Sequence, residues 1–136
     1  MTDKENARRR EVELYIQHAQ SMLKVAQRNL EDAFYDSAVN RAYYAVFYAT
    51  SALLATEQAT PGKHSGVISL FRQHFIKTGR IEDEYSRIYG RLMDDRHVAD
   101  YEVDEAIEAD RAQADLNDAQ QFVARIVAYL GQEGLL

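Results

Sequence analysis

Asp36-Ser37-Ala38-Val39-Asn40-Arg41-Ala42-Tyr43-Tyr44-Ala45-Val46-Phe47-Tyr48-Ala49 decides how this chain folds. Ala38, Ala42, Ala45, Ala49 and Ala52 recur at three and four residues, the spacing of one helix face. Side chains this small let a neighbouring helix approach closely, so the stretch predicts a packed helix from about Asp36 to Glu57. Tyr43, Tyr44, Phe47 and Tyr48 lie beside that seam, and the ordinary role of such an aromatic group is core packing.

The same rhythm extends outward in both directions. Val12, Tyr15, Ala19, Met22 and Ala26 predict a first helix from about Arg8 to Asp32. Ala109, Ala112, Leu116, Ala119, Val123, Ile126 and Leu130 predict a closing helix, with Asp104 as its cap and Glu105 and Glu108 in its first turn. Between them, Thr60-Pro61-Gly62-Lys63-His64-Ser65-Gly66 holds the only proline and must turn. A third helix follows, with Val67, Leu70, Phe71 and Phe75 inward and an end at Thr78-Gly79. A fourth starts near Glu82 and turns Tyr85, Ile88, Tyr89 and Leu92 to one side, with Gly90 weakening its middle. The fold class is therefore all-α, a four- to five-helix up-and-down bundle. Its expected limits are residues 8–131, between a disordered tail at 1–7 and a C-terminal tail at 132–136.

Composition agrees. Hydrophobic residues make up 46% and charged residues 28%, a balance that folds, and one proline among 136 residues suits long helices. The absence of cysteine excludes disulfides, thiol nucleophiles and cysteine-ligated metals. The N-terminus has no apolar stretch behind its basic residues and no long apolar run follows, so neither a secretory signal nor a membrane span is expected, and the cytoplasm is the default location. A net charge of −6 argues against broad nucleic-acid binding, and no DNA partner is expected; one local basic face could still take a phosphate. Of the four histidines, only His97 has an acidic residue three positions earlier, Asp94, so no metal site and no cofactor are expected. Arg41 beside a tight seam either bridges buried carboxylates or lines a cleft. Lys63-His64, in a turn before a helix, is either an exposed cap or an anion site.

Three segments, the Asp36 to Ala49 stretch, Lys63-His64-Ser65-Gly66-Val67 with Phe71 and Phe75 to Gly79, and Asp95-Arg96-His97-Val98-Ala99-Asp100-Tyr101, together resemble the HEPN family. The resemblance covers roughly Ala19 to Leu130. It is strongest toward small single-domain members encoded beside a minimal nucleotidyltransferase. It implies a bundle that dimerises, with an arginine motif facing a cleft, and a protein partner of the nucleotidyltransferase class in a toxin-antitoxin-like system. It also implies binding of a nucleotide or RNA phosphate by Arg41, Tyr44, Lys63, His64, Arg96, Asp100 and Tyr101. Some relatives of this kind are silenced by nucleotide transfer to a tyrosine near the motif, the place Tyr101 holds here.

Several branches are metal-independent ribonucleases with an arginine, four to six residues and a histidine, in which imidazole takes a proton and guanidinium holds the phosphate. Arg91 with His97 satisfies that spacing. Aligned by Asp100-Tyr101, the family arginine is Arg96 instead, with Asp100 or Tyr101 in the histidine's place. If the segment is helical, Arg91 and His97 lie about 240° apart, whereas Arg96 and Asp100 share a face and can pair. Three readings stay open: a binding module that works with the nucleotidyltransferase, a ribonuclease using Arg91 or Arg96 with His97 across a dimer, and a non-catalytic structural dimer.

Overall fold

The computed structural model describes residues 2–57, 59 and 63–136. Its elements are α1 (Asp3–Glu31), α2 (Tyr35–Thr56), α3 (His64–Phe71), α4 (Asp83–Tyr101) and α5 (Ala109–Gln132). Helix α2 packs against every other helix. That central place explains its composition: twelve of its 22 residues are buried, including the whole alanine seam at 0% exposure. Buried Thr50 satisfies its hydroxyl by donating to the Val46 carbonyl at 2.8 Å.

Helix α1 begins at Asp3 rather than at Arg8, so residues 3–7 of the expected disordered tail are helical. The Thr2 hydroxyl caps it by accepting from the Glu5 amide at 3.1 Å, and Asp3 and Glu5 sit at the positive end of the helix dipole. At its other end Ala33 adopts φ +63°, the left-handed position where glycine is favoured. Ala33→Gly is therefore expected to raise stability by about 1 kcal/mol in chemical denaturation, since a Cβ in that region costs roughly that much.

Helix α3 runs on without a break into a π-helical turn, Arg72–Ile76, before Gly79 at φ +77° ends it. The wider turn carries Phe75 inward with Phe71, both at 0% exposure, and the two rings meet Tyr89 and Phe122 or Tyr129 from α4 and α5. Gly90, expected to weaken α4, has a packing reason: a Cβ there would lie 3.1 Å from the Arg72 guanidinium, which crosses α4 to reach Ser86. Thr60, Pro61 and Gly62 of the expected turn lie outside the described residues.

A second helix boundary needs correction. The closing helix starts at Ala109, with Glu108 as an extended cap, not at Asp104. Ile107 gives the reason: it is 5% exposed and packs with Ala38, Val39 and Ala112 in a second small core, and the chain must run non-helically to place it there. At the C-terminus the chain turns through Gly134, the Leu135 amide donates to the Leu130 carbonyl at 2.8 Å, and Leu135 packs back on the core. Among the described residues no helix is long and apolar enough to cross a membrane.

Candidate functional site

Where α2 and α4 lie side by side, the seam residues of α2 face inward and Asn40, Arg41, Tyr44 and Tyr48 form its outer edge. Arg96 of α4 reaches across to that edge. Its guanidinium carbon lies 4.7 Å from the Tyr43 ring centroid and 5.8 Å from that of Tyr44, within cation–π range. One terminal nitrogen donates to the Tyr44 hydroxyl at 3.4 Å and lies 3.7 Å from the Asp100 carboxylate one turn on. The buried Nε has no hydrogen-bond partner. Arg96 is thus held mainly by aromatic faces, with a long and weak ion pair, rather than neutralised by a close carboxylate.

Asp100 is held from the other side as well. The Asn40 amide nitrogen donates to both of its oxygens at 3.2 Å, and Arg41 donates to the Asn40 side-chain oxygen at 2.7 Å. The face is therefore a run of polar contacts from Arg41 through Asn40 and Asp100 to Arg96 and Tyr44. Below it, burial raises the Tyr43 and Tyr89 phenols, against the opposing pull of Arg96, so both remain neutral supports and neither is an anionic partner for the arginine.

Arg41, at the exposed border of the alanine seam, donates to Asn40 and among the described residues pairs with no carboxylate; it lines the face and does not bridge a buried charge. On the far side of Tyr44 stands His64, exposed, with its ring 6.2 Å from Tyr44 and 4.3 Å from Phe47. Lys63 precedes it as the extended N-cap residue of α3.

The motif residues separate. His97 is exposed and packs against Tyr101 with ring centroids 5.1 Å apart, next to Arg96 in sequence but about 100° round the helix. Arg91, six residues before His97 on the same unbroken helix, faces α5, where it binds Asp118 and donates to Asp115 at 3.3 Å. Within one chain Arg91 and His97 do not converge on a common phosphate.

Residues that sequence reasoning passed over include Asn40 and Tyr43, which position Asp100 and Arg96. Asn40 had a signal, being one turn before Tyr44 on the polar edge of α2. A second missed group lies between α4 and α5. Asp95 and Asp115 are 5% and 1% exposed, and Arg111 binds Asp95. Burial, together with the neighbouring Asp95, pushes the Asp115 carboxyl up to about 8. Burial also raises Asp95, but the hydrogen bonds from Arg111 and Asp115 outweigh it and hold that carboxyl below the ordinary range. The Asp115 Oδ2 has no donor facing it, and a proton on Asp115 shared with Asp95 satisfies both groups. Among the described residues no group of His, Asp or Glu is arranged to hold a metal ion.

Comparison with known proteins places these residues in a wider group. The HEPN domain profile matches residues 12–130. A candidate toxin of Methanocaldococcus jannaschii is 39% identical over 118 residues, covering 87% of each chain. A second candidate toxin of that organism is 34% identical over 128 residues, 94% of this chain and 87% of the other. A UPF0332 protein of Thermotoga maritima is 38% identical over 96 residues, 71% of this chain and 73% of its own.

Proposed function

The chain belongs to the HEPN domain family, and on that premise we propose that it is the toxin-side member of a toxin-antitoxin-like pair, working with a nucleotidyltransferase and binding a nucleotide or RNA phosphate on its α2–α4 face. The observation that carries this reading is the setting of Arg96. Its guanidinium is already ordered against Tyr43 and Tyr44, so little side-chain freedom remains to be lost when an anion arrives. Its nearest carboxylate is 3.7 Å away and turned toward Asn40, and the terminal nitrogen that does not contact Tyr44 is available for a phosphate. Arg41 and Lys63 add positive charge on either side, and neither forms an ion pair among the described residues.

Tyr101, 63% exposed, suits the partnership. In transfer from a nucleoside triphosphate its phenol oxygen would bond to the α-phosphorus, pyrophosphate would leave, and the phenol proton would pass to solvent or to the partner's base. Two copies of the chain meeting over this face would bring a second set of the same residues to one strand.

The ribonuclease reading draws support from the two relatives named as candidate toxins. It requires the dimer, because Arg96 and His97 of one chain point about 100° apart and a histidine would have to come from the other copy. The two readings part in one experiment. Purified protein is incubated with mixed RNA without metal, and RNA retention, RNA cleavage and capture of the nucleotidyltransferase are measured for wild type, Arg96→Ala and His97→Ala. The binding-module reading expects retention that Arg96→Ala abolishes and His97→Ala preserves, with no cleavage. Cleavage lost in both variants with retention lost only in Arg96→Ala makes the protein a ribonuclease. No retention, no cleavage and no captured partner would leave the non-catalytic structural dimer and overturn the proposal.

A further inference from the structure

A groove of about 690 Å³ runs between the N-terminal half of α1, the outer edge of α2 and the start of α3, adjoining the Arg96 face, with which it shares Tyr48, Lys63 and His64. Its size lies within the range of about 300–1,000 Å³ common to small-molecule sites. Phe47, Tyr48 and Tyr15 line it, and His64 stands against Phe47 as one wall, 4.3 Å between ring centroids. Tyr48 is itself braced by His18 at 5.0 Å, so its ring is presented as a fixed plane. Three cations, Lys4, Arg8 and Lys63, reach the groove against one carboxylate, Glu11. In a chain of net charge −6 that local excess is unexpected, and none of the three forms an ion pair among the described residues.

Ordered aromatic planes inside and unpaired cations at the rim are complementary to one chemistry: a flat π-system joined to phosphates. A peptide of acidic character would use the cations but not the aromatic planes, and an apolar helix would leave the cations facing nothing. We propose that this groove seats an unpaired nucleobase, with its flanking phosphates held by Lys4, Arg8 and Lys63. The nucleotide is part of a single strand of RNA. His64, which touches Phe47 on the groove side and Tyr44 on the Arg96 side, marks where the strand passes from one site to the other. Only that last step rests on the reading of Arg96 as a phosphate site; the groove itself does not.

The test measures binding of a fluorescent eight-nucleotide unpaired RNA to the full chain by anisotropy. The same strand with its central bases removed, the same sequence as a duplex, and AMP and ATP serve as competitors. Loss of the bases is expected to weaken binding about ten-fold, as is Tyr48→Leu, in keeping with the usual loss of one base–aromatic stack. Arg8→Gln is expected to weaken it several-fold and to flatten the salt dependence.

The abasic strand needs no variant, so the proposal is testable even if Tyr48→Leu folds poorly. Equal binding of intact and abasic strands, or tighter binding of duplex, would overturn it. AMP or ATP competing as well as the strand would show a mononucleotide site and overturn the single-strand assignment. If Tyr48→Leu and Arg8→Gln instead convert a dimer to monomers and leave RNA binding unchanged, a second copy occupies the groove and the proposal fails. Binding lost in Arg96→Ala but kept in the groove variants and with abasic strand would sink the groove and leave the proposed function standing. The opposite pattern would leave the groove and sink the Arg96 reading.

Discussion

Arg111→Ala is expected to lower the free energy of unfolding by about 2–3 kcal/mol at neutral pH, measured by denaturant titration. Arg111 binds Asp95, whose side chain is 7% exposed, while the half-exposed guanidinium itself is screened by solvent. Without it Asp95 is a buried carboxylate with only the proton of Asp115 to share. The variant should therefore recover toward wild type below about pH 4, where Asp95 can take up a proton of its own. A loss under about 0.5 kcal/mol at pH 7, the scatter of ordinary surface substitutions, would show that the pair is solvated.

Asp115 gives the same site a pH dependence of opposite sign. Its carboxyl is raised to about 8 in the folded chain against an ordinary value near 3.8. Between those values the folded state keeps a proton that the unfolded state has released, so the unfolded state binds fewer protons and stability falls as pH rises. Asp95, held low, acts the other way and loses its contribution only as pH falls below the ordinary carboxylate range. Asp115→Asn keeps a donor for Asp95 and removes the titration. It should flatten the decline between pH 5 and 8 and exceed wild type in stability at pH 8 by about 1–2 kcal/mol.

Neither aspartate was read from the sequence as special, although both carry a visible mark. Asp95 continues the apolar stripe of Ile88 and Leu92, and Asp115 lies between Ala112 and Leu116 on the stripe of α5. A carboxylate on the buried stripe of a bundle must find a cation or a proton, and that question, asked of each stripe, would have found the group. The stripes themselves were legible because helical periodicity is local: both ends of α2 and the start of α4 lie within one residue of expectation, and all five alanines of the seam are buried. Where a single long-range contact decides the backbone, local reading failed. The helix expected from Asp104 yields to the burial of Ile107 against Ala38 and Val39, partners nearly seventy positions away in the chain.

The Arg96 face divides along the same line. The pairing of Arg96 with Asp100 at i,i+4 followed from helix geometry alone, and the structure makes it at 3.7 Å. Asn40 supporting Asp100, and His64 standing beside Tyr44, depend on how α2, α3 and α4 pack, which no periodicity encodes. Arg91 shows the converse error that motif spacing invites. It satisfies an arginine-to-histidine interval on paper, yet on a continuous helix the interval turns it to Asp115 and Asp118.

Arg96→Ala is expected to weaken RNA or nucleotide binding about 100-fold, the usual scale for removing one ordered, charge-assisted phosphate contact. The fold should survive the change, because what Arg96 gives the bundle is a cation–π contact of about 1–2 kcal/mol over Tyr43, its side chain being 22% exposed. Arg96→Lys separates charge from shape. An ammonium keeps the net charge but cannot lie flat against both tyrosines or present two parallel donors, so it should recover about ten-fold and leave a ten-fold deficit. Tyr44→Phe removes the hydroxyl that accepts from Arg96 at 3.4 Å while keeping the ring, and its effect should be two- to three-fold at most, about 0.5 kcal/mol, since that bond is long. The order Ala, Lys, Phe, from most to least damaging, follows from stacking and bidentate contact rather than from charge alone. If Arg96→Lys binds as wild type does, the guanidinium plane has no part in recognition. If Arg96→Ala stays within three-fold of wild type, the phosphate is held elsewhere, and Lys63 with Arg41 would be the pair left on this face to hold it.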